Sequence, residues 1–319
     1  MAIPASLQSG LKLPAIVAPM FLTSGPDLVT EVCRSGLIGT FPALNQRSSE
    51  GYGKWLAEID AKLRQHPGAA SFGVNLIVHR SNPRLEADLA LTVQHKVPLV
   101  ITSLGAVHEV VDAVHSYGGL VFHDVINRRH AEKAAKAGVD GIIAVAAGAG
   151  GHAGTVSPFA LVSEIKSFFG GSVILSGAIS RGEQIAAARM MGADMAYLGT
   201  RFIATREATV DPAYKLMLVG AKAADVMYTP AISGVHANFL RPSMVAAGLD
   251  PDNLPAHGKL DMQNEAKAWK TVWSAGQGVG AIDEIVPAAK LCEQLIAEYQ
   301  TAGLAFASDS FLNTSRVAA

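Results

Sequence analysis

Residues 141–157 read GIIAVAAGAGGHAGTVS, an apolar run followed by a glycine-rich loop with one histidine, His152. A short apolar run rich in Ile and Val favours a strand buried on both faces. Glycines such as Gly148 and Gly151 let the backbone turn and approach a flat ligand closely. An imidazole in such a loop can exchange protons near neutral pH. The stretch therefore predicts a buried strand whose C-terminal loop is either a reactive site or only a tight turn.

Seven more apolar runs of this kind occur along the chain, with helix-like segments between them. The eight predicted strands are 15–20, 37–44, 71–78, 98–104, 119–125, 141–147, 172–178 and 195–202. Helix start and stop signals support the alternation, as in the segment 127–137, which ends at Gly138. Eight strand–helix units predict an α/β fold, a TIM (β/α)8 barrel. A doubly wound open sheet is the alternative, because periodicity alone does not show closure.

The pattern is interrupted after the eighth strand. A segment rich in proline, 205–280, separates this strand from the last helix-like run, 283–302. We expect residues 1–204 and 281–307 to form the barrel and the interruption to be a mostly helical insertion over its mouth. Helix-like pieces within it are predicted near 212–224 and 264–272, and residues 308–319 are expected to be a C-terminal tail.

Composition excludes several classes of protein. The chain has 319 residues, a net charge of −1 and no basic tract, which argues against a nucleic-acid partner. Cys33 and Cys292 are too few for a disulfide scaffold or a zinc cluster, and each is expected to lie buried on a helix. We predict no metal site. The N-terminus lacks a signal-peptide pattern, and no apolar run could span a bilayer. We expect a cytoplasmic protein without a membrane partner, and a homodimer is one open possibility.

Glycines follow the seventh and eighth strands, in LSGAIS (175–180) and YLGTRF (197–202). In barrels these two loops can bind phosphate through backbone N–H groups and a helix N-terminus. Two simple turn glycines are the alternative interpretation. The candidate phosphate residues are Ser176, Gly177, Ser180, Gly199 and Thr200.

The ends of other strands carry groups that could contact a heteroaromatic ring of a ligand. The backbone N–H of Met20 could bond to the edge of a heteroaromatic ring, and the amide of Asn75 could contact it. His123 and Asp124 end the fifth strand. Asp124 could instead cap the helix that starts near Asn127.

With these residues in hand, the chain resembles the nitronate monooxygenase family, also called 2-nitropropane dioxygenase-like. The motifs that carry the resemblance occur in order: APM (18–20), GVNL (73–76), AGGHAG (149–154), LSGAI (175–179), GADMAYLGTRFIAT (192–205) and WSAGQGVG (273–280). The resemblance implies a TIM barrel with tightly but non-covalently bound FMN and flavin oxidation chemistry. His152 matches the family's active-site histidine. Many relatives have Glu where this chain has Gly148.

The resemblance also implies a set of cofactor-binding residues. Met20 and Asn75 match positions near the isoalloxazine, and His123 matches a flavin-contacting position that is Gln or Lys in relatives. The full set is Met20, Asn75, His123, Gly151, Ser176, Gly177, Ala178, Gly199, Thr200, Gln277 and Gly278. Tyr228, His236 and Arg241 are further candidates in the insertion, each expected to be structural rather than catalytic.

These observations predict an enzyme, an FMN-dependent oxidoreductase. Its expected reaction is the oxidation of alkyl nitronates or nitroalkanes with O2 to a carbonyl compound and nitrite. His152 would act as general base or as hydrogen-bond donor to the substrate. The same barrel could instead serve an NAD(P)H:quinone reductase or an enoyl-acyl-carrier-protein reductase. A flavin-free phosphosugar lyase or isomerase and a non-catalytic binding barrel are the remaining alternatives.

Overall fold

In the computed structural model, which describes residues 3–79, 81–105, 108–254 and 271–312, eight parallel strands form a closed barrel. The barrel strands are β1 (Ala15–Val17), β2 (Ile38–Pro42), β3 (Phe72–Ile77), β4 (Leu99–Ser103), β5 (Leu120–Val125), β6 (Gly141–Val145), β8 (Ser172–Ser176) and β9 (Met195–Leu198). A short strand, β7 (Gly151–His152), lies outside the barrel. Because β1 pairs with both β2 and β9, the predicted TIM barrel is confirmed and the open sheet is excluded.

The helices follow the strands in the expected alternation. They are α1 (Ala5–Gln8), α2 (Pro26–Arg34), α3 (Ser49–Arg64), α4 (Leu85–Gln94), α5 (His108–His115), α6 (Arg128–Lys136), α7 (Pro158–Lys166), α8 (Gly182–Met190), α9 (Thr200–Ile203), α10 (Pro212–Gly220), α11 (Arg241–Ala246) and α12 (Ala288–Ala307). Local signals explain several ends: Asn127 accepts from the His130 N–H at 2.9 Å and so caps α6. Cys33 on α2 and Cys292 on α12 are buried, as expected.

Two hydrophobic clusters lie on the two faces of the barrel sheet. The inner cluster contains Ile16, Ile38, Ile101, Phe122, Ile143, Ile174 and Met195, with Leu7 of α1 packed against the strand starts. The outer cluster contains Val17, Val74, Val121, Val125, Ile142 and Leu175, packed against the helices. Since successive side chains of a strand point to opposite faces, every second residue faces the barrel interior. The last inward residues of the strands therefore form the floor of the barrel mouth.

The insertion adds secondary structure that the sequence did not predict. The expected helix at 212–224 is present as α10 with a 3-10 turn at Ala223–Asp225, whereas most of the expected 264–272 helix lies outside the described residues. Two antiparallel strands follow, β10 (Val226–Thr229) and β11 (Ala237–Leu240). Because β11 pairs with β7, the insertion and the His152 loop share one small sheet.

Five of the eight barrel strands, β1, β2, β6, β8 and β9, end two to four residues before the predicted end, and β9 and β8 show why. The strand expected at 195–202 ends at Leu198, and a helical turn, α9, follows at once. The strand expected at 172–178 ends at Ser176, because Gly177 (φ +139°) and Ala178 (φ +54°) turn the chain into the left-handed region.

Within the described ranges, no helix is both long and apolar enough to cross a bilayer.

Candidate active site

A cavity of about 1480 Å³ opens at the C-terminal ends of the barrel strands. Twelve of the predicted site residues line it: Met20, Asn75, His123, Gly151, His152, Ser176, Gly177, Ala178, Ser180, Gly199, Thr200 and Gly278. Gln277 does not line it; this exposed residue lies beside it and donates its N–H to the Gly148 carbonyl at 2.8 Å. The fold thus brings residues from distant parts of the chain to the place where barrels carry their chemistry.

The His152 loop is held by the insertion. The Gly151 N–H donates to Ser274 Oγ at 2.6 Å, and Ser274 Oγ donates to the Asn238 carbonyl at 2.7 Å. The amide of Asn238 donates to the Ala149 carbonyl, also at 2.7 Å. His152 itself lies in β7, opposite Ala237 of β11. The insertion therefore sets the position of the histidine above the strand ends.

Glycines allow the His152 loop and the 273–280 loop to touch. A Cβ on Gly276 would lie 2.6 Å from the Gly148 carbonyl oxygen and 2.8 Å from the Gly150 nitrogen. The Gly276 N–H donates to Thr200 Oγ1 at 2.8 Å, which ties the same loop to α9. Gly148 has φ +85°, so any side chain at this position would be strained.

One side of the cavity fits an anion. Gly177 and Ala178 turn the backbone with positive φ directly after β8. The hydroxyl of Ser180 is 2% exposed, and its Oγ has no hydrogen-bond partner among the described residues. Thr200 Oγ1 accepts from Gly276, so its own hydrogen remains to be donated. These groups supply hydroxyl and backbone donors of the kind that bind phosphate.

A hydrogen-bonded row of side chains crosses the floor of the cavity. Asn75 Nδ2 donates to the Ile101 carbonyl at 3.1 Å and to Ser103 Oγ at 2.7 Å. Ser103 Oγ donates to Asp124 Oδ2 at 2.6 Å. Burial raises the pKa of Asp124 to about 6, although the Ser103 hydrogen bond opposes this increase. Because Asn127 caps α6, the alternative that Asp124 is the helix cap is excluded.

His123 lies on the other face of β5. Its neighbours two positions away, Val121 and Val125, belong to the outer cluster. His123 Nδ1 is hydrogen-bonded to Thr102 Oγ1 at 2.7 Å, and only 5% of the residue is exposed. Burial lowers the pKa of His123 to about 4, with a further contribution from the positive charge of His130. The imidazole is therefore neutral at neutral pH and touches the cavity from its edge.

The backbone N–H of Met20 is used within its own loop. It donates to Ser24 Oγ at 3.0 Å, while the Met20 carbonyl accepts from Asn45 Nδ2 at the same distance. The side chain of Met20 lines the cavity beside Gly199, whose Cβ would lie 3.7 Å from Met20 Sδ. A ring contact through the N–H would have to compete with Ser24.

Two of the three candidates in the insertion line the cavity. Tyr228 donates its hydroxyl to the Ala153 carbonyl at 3.0 Å, and its ring stacks on His236 with centroids 5.1 Å apart. Arg241 does not line the cavity; it is paired with Asp252 at 2.6 Å.

Ser103 and Asp124 also line the cavity, although neither belongs to the predicted set of cofactor-binding residues. Both are polar residues at the ends of otherwise apolar strands. Both lie two positions after an inner-cluster residue, Ile101 and Phe122 respectively, so strand alternation places them on the inner face.

Known proteins resemble this chain over most of its length. The family model for nitronate monooxygenase matches residues 57–298. A nitronate monooxygenase of Paraburkholderia phytofirmans is 29% identical, over 91% of this chain and 93% of its own. Among solved structures, a nitroalkane oxidase from Streptomyces ansochromogenes has a TM-score of 0.83 at 24% identity, covering 95% of this chain and 100% of that chain. FabK from Thermotoga maritima has a TM-score of 0.78 at 25% identity, covering 94% and 96%.

The family match includes six of the eight barrel strands, the His152 loop and the whole insertion. Enzymes of this family are in general flavin-dependent. A closed eight-stranded barrel with a loop histidine, hydroxyl groups and backbone N–H groups at its mouth is consistent with that membership. The chain therefore belongs to the nitronate monooxygenase family of oxidoreductases.

Proposed function

We propose that the protein is an FMN-dependent nitronate monooxygenase, which oxidises alkyl nitronates or nitroalkanes with O2 to a carbonyl compound and nitrite. The observation that carries this proposal is the single cavity that has His152 on one wall and the loops after β8 and β9 on another. The cavity volume of about 1480 Å³ exceeds the roughly 300–1,000 Å³ of an ordinary ligand pocket. It can therefore hold a cofactor and a small substrate together.

The residues present fit FMN. The buried Ser180 hydroxyl without a described partner and the positive-φ turn at Gly177 suit a phosphate. Phosphate contacts would come from Ser176, Gly177, Ala178, Ser180, Gly199 and Thr200, and ring contacts from Met20, Asn75, His123, Gly151 and Gly278, all of which line the cavity. Bound FMN would supply one-electron oxidation of the substrate and transfer of the electron to O2.

His152 would act on the substrate itself. A nitroalkane has an acidic C–H beside the nitro group, and a neutral imidazole can accept this proton. With a nitronate, which has already lost the proton, the imidazole can only donate a hydrogen bond to a nitro oxygen. Tyr228 and His236 cover the adjacent space and would limit the access of water. Arg47 and Lys133 are exposed on the cavity wall, and their positive charge favours the entry of an anionic nitronate.

The first test is anaerobic absorbance of the FMN-loaded protein mixed separately with a nitronate, NADH and NADPH. Flavin bleaching by the nitronate, followed by nitrite formation in air, supports the proposal. Bleaching by a nicotinamide with no response to the nitronate would instead identify a reductase. A protein that binds FMN and responds to none of the three would be a binding barrel, and the proposal would be wrong.

A second test separates the two roles of His152. We expect His152→Asn to retain FMN and to lose turnover of neutral nitroalkanes by about 100-fold or more, the usual contribution of a positioned base. If His152 is only a base, the variant keeps its turnover of preformed nitronates; if it binds the nitro group, both activities fall. His95→Asn, which changes a histidine outside the cavity, is the matched control. Unchanged turnover in His152→Asn would remove this residue from the mechanism.

A further inference from the structure

Asp124 lies in the last inward layer of the barrel. Phe122, two residues before it on β5, belongs to the inner cluster, while Val121 and Val125 belong to the outer one. Asp124 therefore shares the inner face with Phe122, and it lines the cavity. Tyr197, another inner residue on β9, interacts electrostatically with it. A carboxyl group thus stands on the floor of the space that opens at the barrel mouth.

The hydrogen bonds around Asp124 have a defined direction. Both hydrogens of the Asn75 amide are used, one by the Ile101 carbonyl and one by Ser103 Oγ. Because Ser103 Oγ accepts from Asn75, it gives its only hydrogen to Asp124 Oδ2. Oδ2 is therefore an acceptor. If the carboxyl carries a proton, that proton is on Oδ1.

Oδ1 is shielded from solvent and has no hydrogen-bond partner among the described residues. No ion pair of the described residues involves Asp124 either, and burial raises its pKa to about 6. A buried carboxylate without a cation is costly, and a buried polar atom without a partner costs about 1–3 kcal/mol. Protonation on Oδ1 removes the buried charge. A hydrogen bond from that proton to an acceptor on a bound molecule then gives Oδ1 a partner.

We propose that Asp124 binds the cofactor ring, donating the proton held on its Oδ1 to an acceptor atom of the flavin. This inference rests on the proposed function, in which the cavity takes FMN. The ring is the expected partner because Asp124 is part of a barrel strand, whereas His152 lies outside the barrel in the sheet shared with the insertion. The barrel floor that carries Asp124 would hold the ring, and His152 of the loop above would act on the substrate. The flavin ring carries carbonyl oxygens and ring nitrogens that accept hydrogen bonds.

The proposal predicts pH-dependent binding of the ring. When Asp124 is ionised, the donor is lost and a negative charge faces the acceptor, so flavin binding weakens as pH rises. Other titratable and charged groups line the same cavity: His123 and Tyr197 beside Asp124, His130 and Lys133 of α6, His152 of the loop above, Arg47 and Arg84, and Asp211, Tyr214, Tyr228 and His236 of the insertion. Variants at Asp124 are therefore needed to assign any pH dependence to this residue.

The experiment measures the dissociation constant of riboflavin by fluorescence quenching between about pH 5 and pH 8, a range that brackets the raised carboxyl pKa. Riboflavin has the ring without the phosphate, so titration of the phosphate does not contribute. For the native protein we expect binding about tenfold weaker at the high end, close to the upper end of the net contribution of one hydrogen bond. Asp124→Asn keeps a donor at all pH values, so its dissociation constant should stay flat and near the low-pH native value. Asp211→Asn, at another cavity-lining carboxylate, should keep the native profile.

Ser103→Ala provides an independent readout if Asp124→Asn does not fold. The Ser103 hydrogen bond holds the pKa of Asp124 down, so its removal should move the midpoint of the binding transition to higher pH. A purely structural role for Asp124 would leave that midpoint in place. A native riboflavin affinity that does not change with pH, or an Asp124→Asn profile equal to the native one, would overturn the proposal. Failure of the native protein to bind either riboflavin or FMN would instead overturn the proposed function.

Discussion

The side-chain amide of Asn238 donates to the backbone carbonyl of Ala149 at 2.7 Å, and 89 residues of chain separate the two. Asn238 belongs to β11 of the insertion, and Ala149 begins the loop that carries His152. Both residues are buried, so the carbonyl has no ready replacement for this donor. The insertion thus holds the His152 loop from above the barrel mouth.

Asn238→Ala should reduce turnover more than it reduces flavin affinity. The substitution leaves the buried Ala149 carbonyl without its donor, which costs about 1–3 kcal/mol of stability and loosens the loop. Turnover with a nitronate and the FMN dissociation constant are measured side by side. Asn253→Ala is the matched control, since Asn253 lies in the same insertion but bonds to Asp250 at the surface. Equal effects of the two substitutions on turnover would contradict the role of Asn238.

Gly276→Ala should separate the two loops that meet at the cavity wall. Its Cβ would lie 2.6 Å from the Gly148 carbonyl oxygen, which also accepts the Gln277 N–H at 2.8 Å, so moving the two loops apart would strain this hydrogen bond. Overpacking of this kind costs about 1–3 kcal/mol. Thermal unfolding should show a clear decrease in Tm. Gly280→Ala in the same loop has its nearest contact at 3.6 Å, so it should leave the Tm almost unchanged. A Tm for Gly276→Ala equal to that of Gly280→Ala would show that the two loops can move apart without loss of stability, which would contradict the prediction.

The sequence predicted the barrel well because its signal is repeated eight times. Each apolar run is short enough to be a strand, and each is followed by a segment with helix signals. The inner and outer faces could not be told apart in the same way. In a strand such as β5, both faces are buried, so Val121 and Phe122 are equally apolar and the alternation is hidden. Only the structure shows that Asp124 faces inward and His123 outward.

The contacts that position His152 were also beyond sequence analysis. Gly151 and Ser274 are 123 residues apart, and nothing in either motif specifies that they bond to one another.

The pairing of β10 with β11 was missed because β10 is mostly half-buried and both strands are only four residues long. Their stability depends on β7 and the barrel mouth beneath them, which is tertiary context.

Thr200→Val should weaken FMN binding by about tenfold and riboflavin binding less, because it removes a phosphate donor and also the acceptor of the Gly276 N–H. Thr200 Oγ1 accepts from the Gly276 N–H, and its hydrogen is available to a phosphate oxygen. Losing a hydrogen bond to a charged group costs about 1.5–3 kcal/mol. Thr200→Ser retains the hydroxyl and should restore FMN affinity. Equal weakening for both flavins would show that Thr200 acts on the ring or on the fold rather than on the phosphate.

Tyr228→Phe should raise the KM for the nitronate with little change in FMN affinity. The substitution keeps the ring that stacks on His236 but removes the hydroxyl that donates to Ala153, next to His152. Tyr228 is 38% exposed, so water can replace the hydroxyl and the effect should be a few-fold, close to the net value of one hydrogen bond. Steady-state kinetics test this. A loss of more than about 100-fold in kcat, the size of a proton-transfer contribution, would give Tyr228 a direct part in the chemistry.

In the flavin-free protein, Asp124 and His123 of β5 should change the free energy of unfolding with pH in opposite directions. Asp124 has a folded pKa of about 6, above the roughly 3.9 of an unfolded chain. Its contribution to the free energy of unfolding is present below about pH 4 and is lost as pH rises to about 6. His123 has a folded pKa of about 4, below the unfolded value of roughly 6.5. Its contribution is present above about pH 6.5 and is lost as pH falls to about 4.

Single variants should expose each effect. Relative to the native protein, Asp124→Asn should gain stability as pH rises from about 4 to 6, by about 3 kcal/mol. His123→Gln should gain a similar amount as pH falls from about 6.5 to 4, since Gln keeps a donor for Thr102 but does not titrate. The measurement is urea unfolding of the flavin-free protein at several pH values, with each variant subtracted from the native curve so that other carboxylates cancel. Difference curves with the same slope, or with none, would show that these two side chains do not remain neutral in the folded protein.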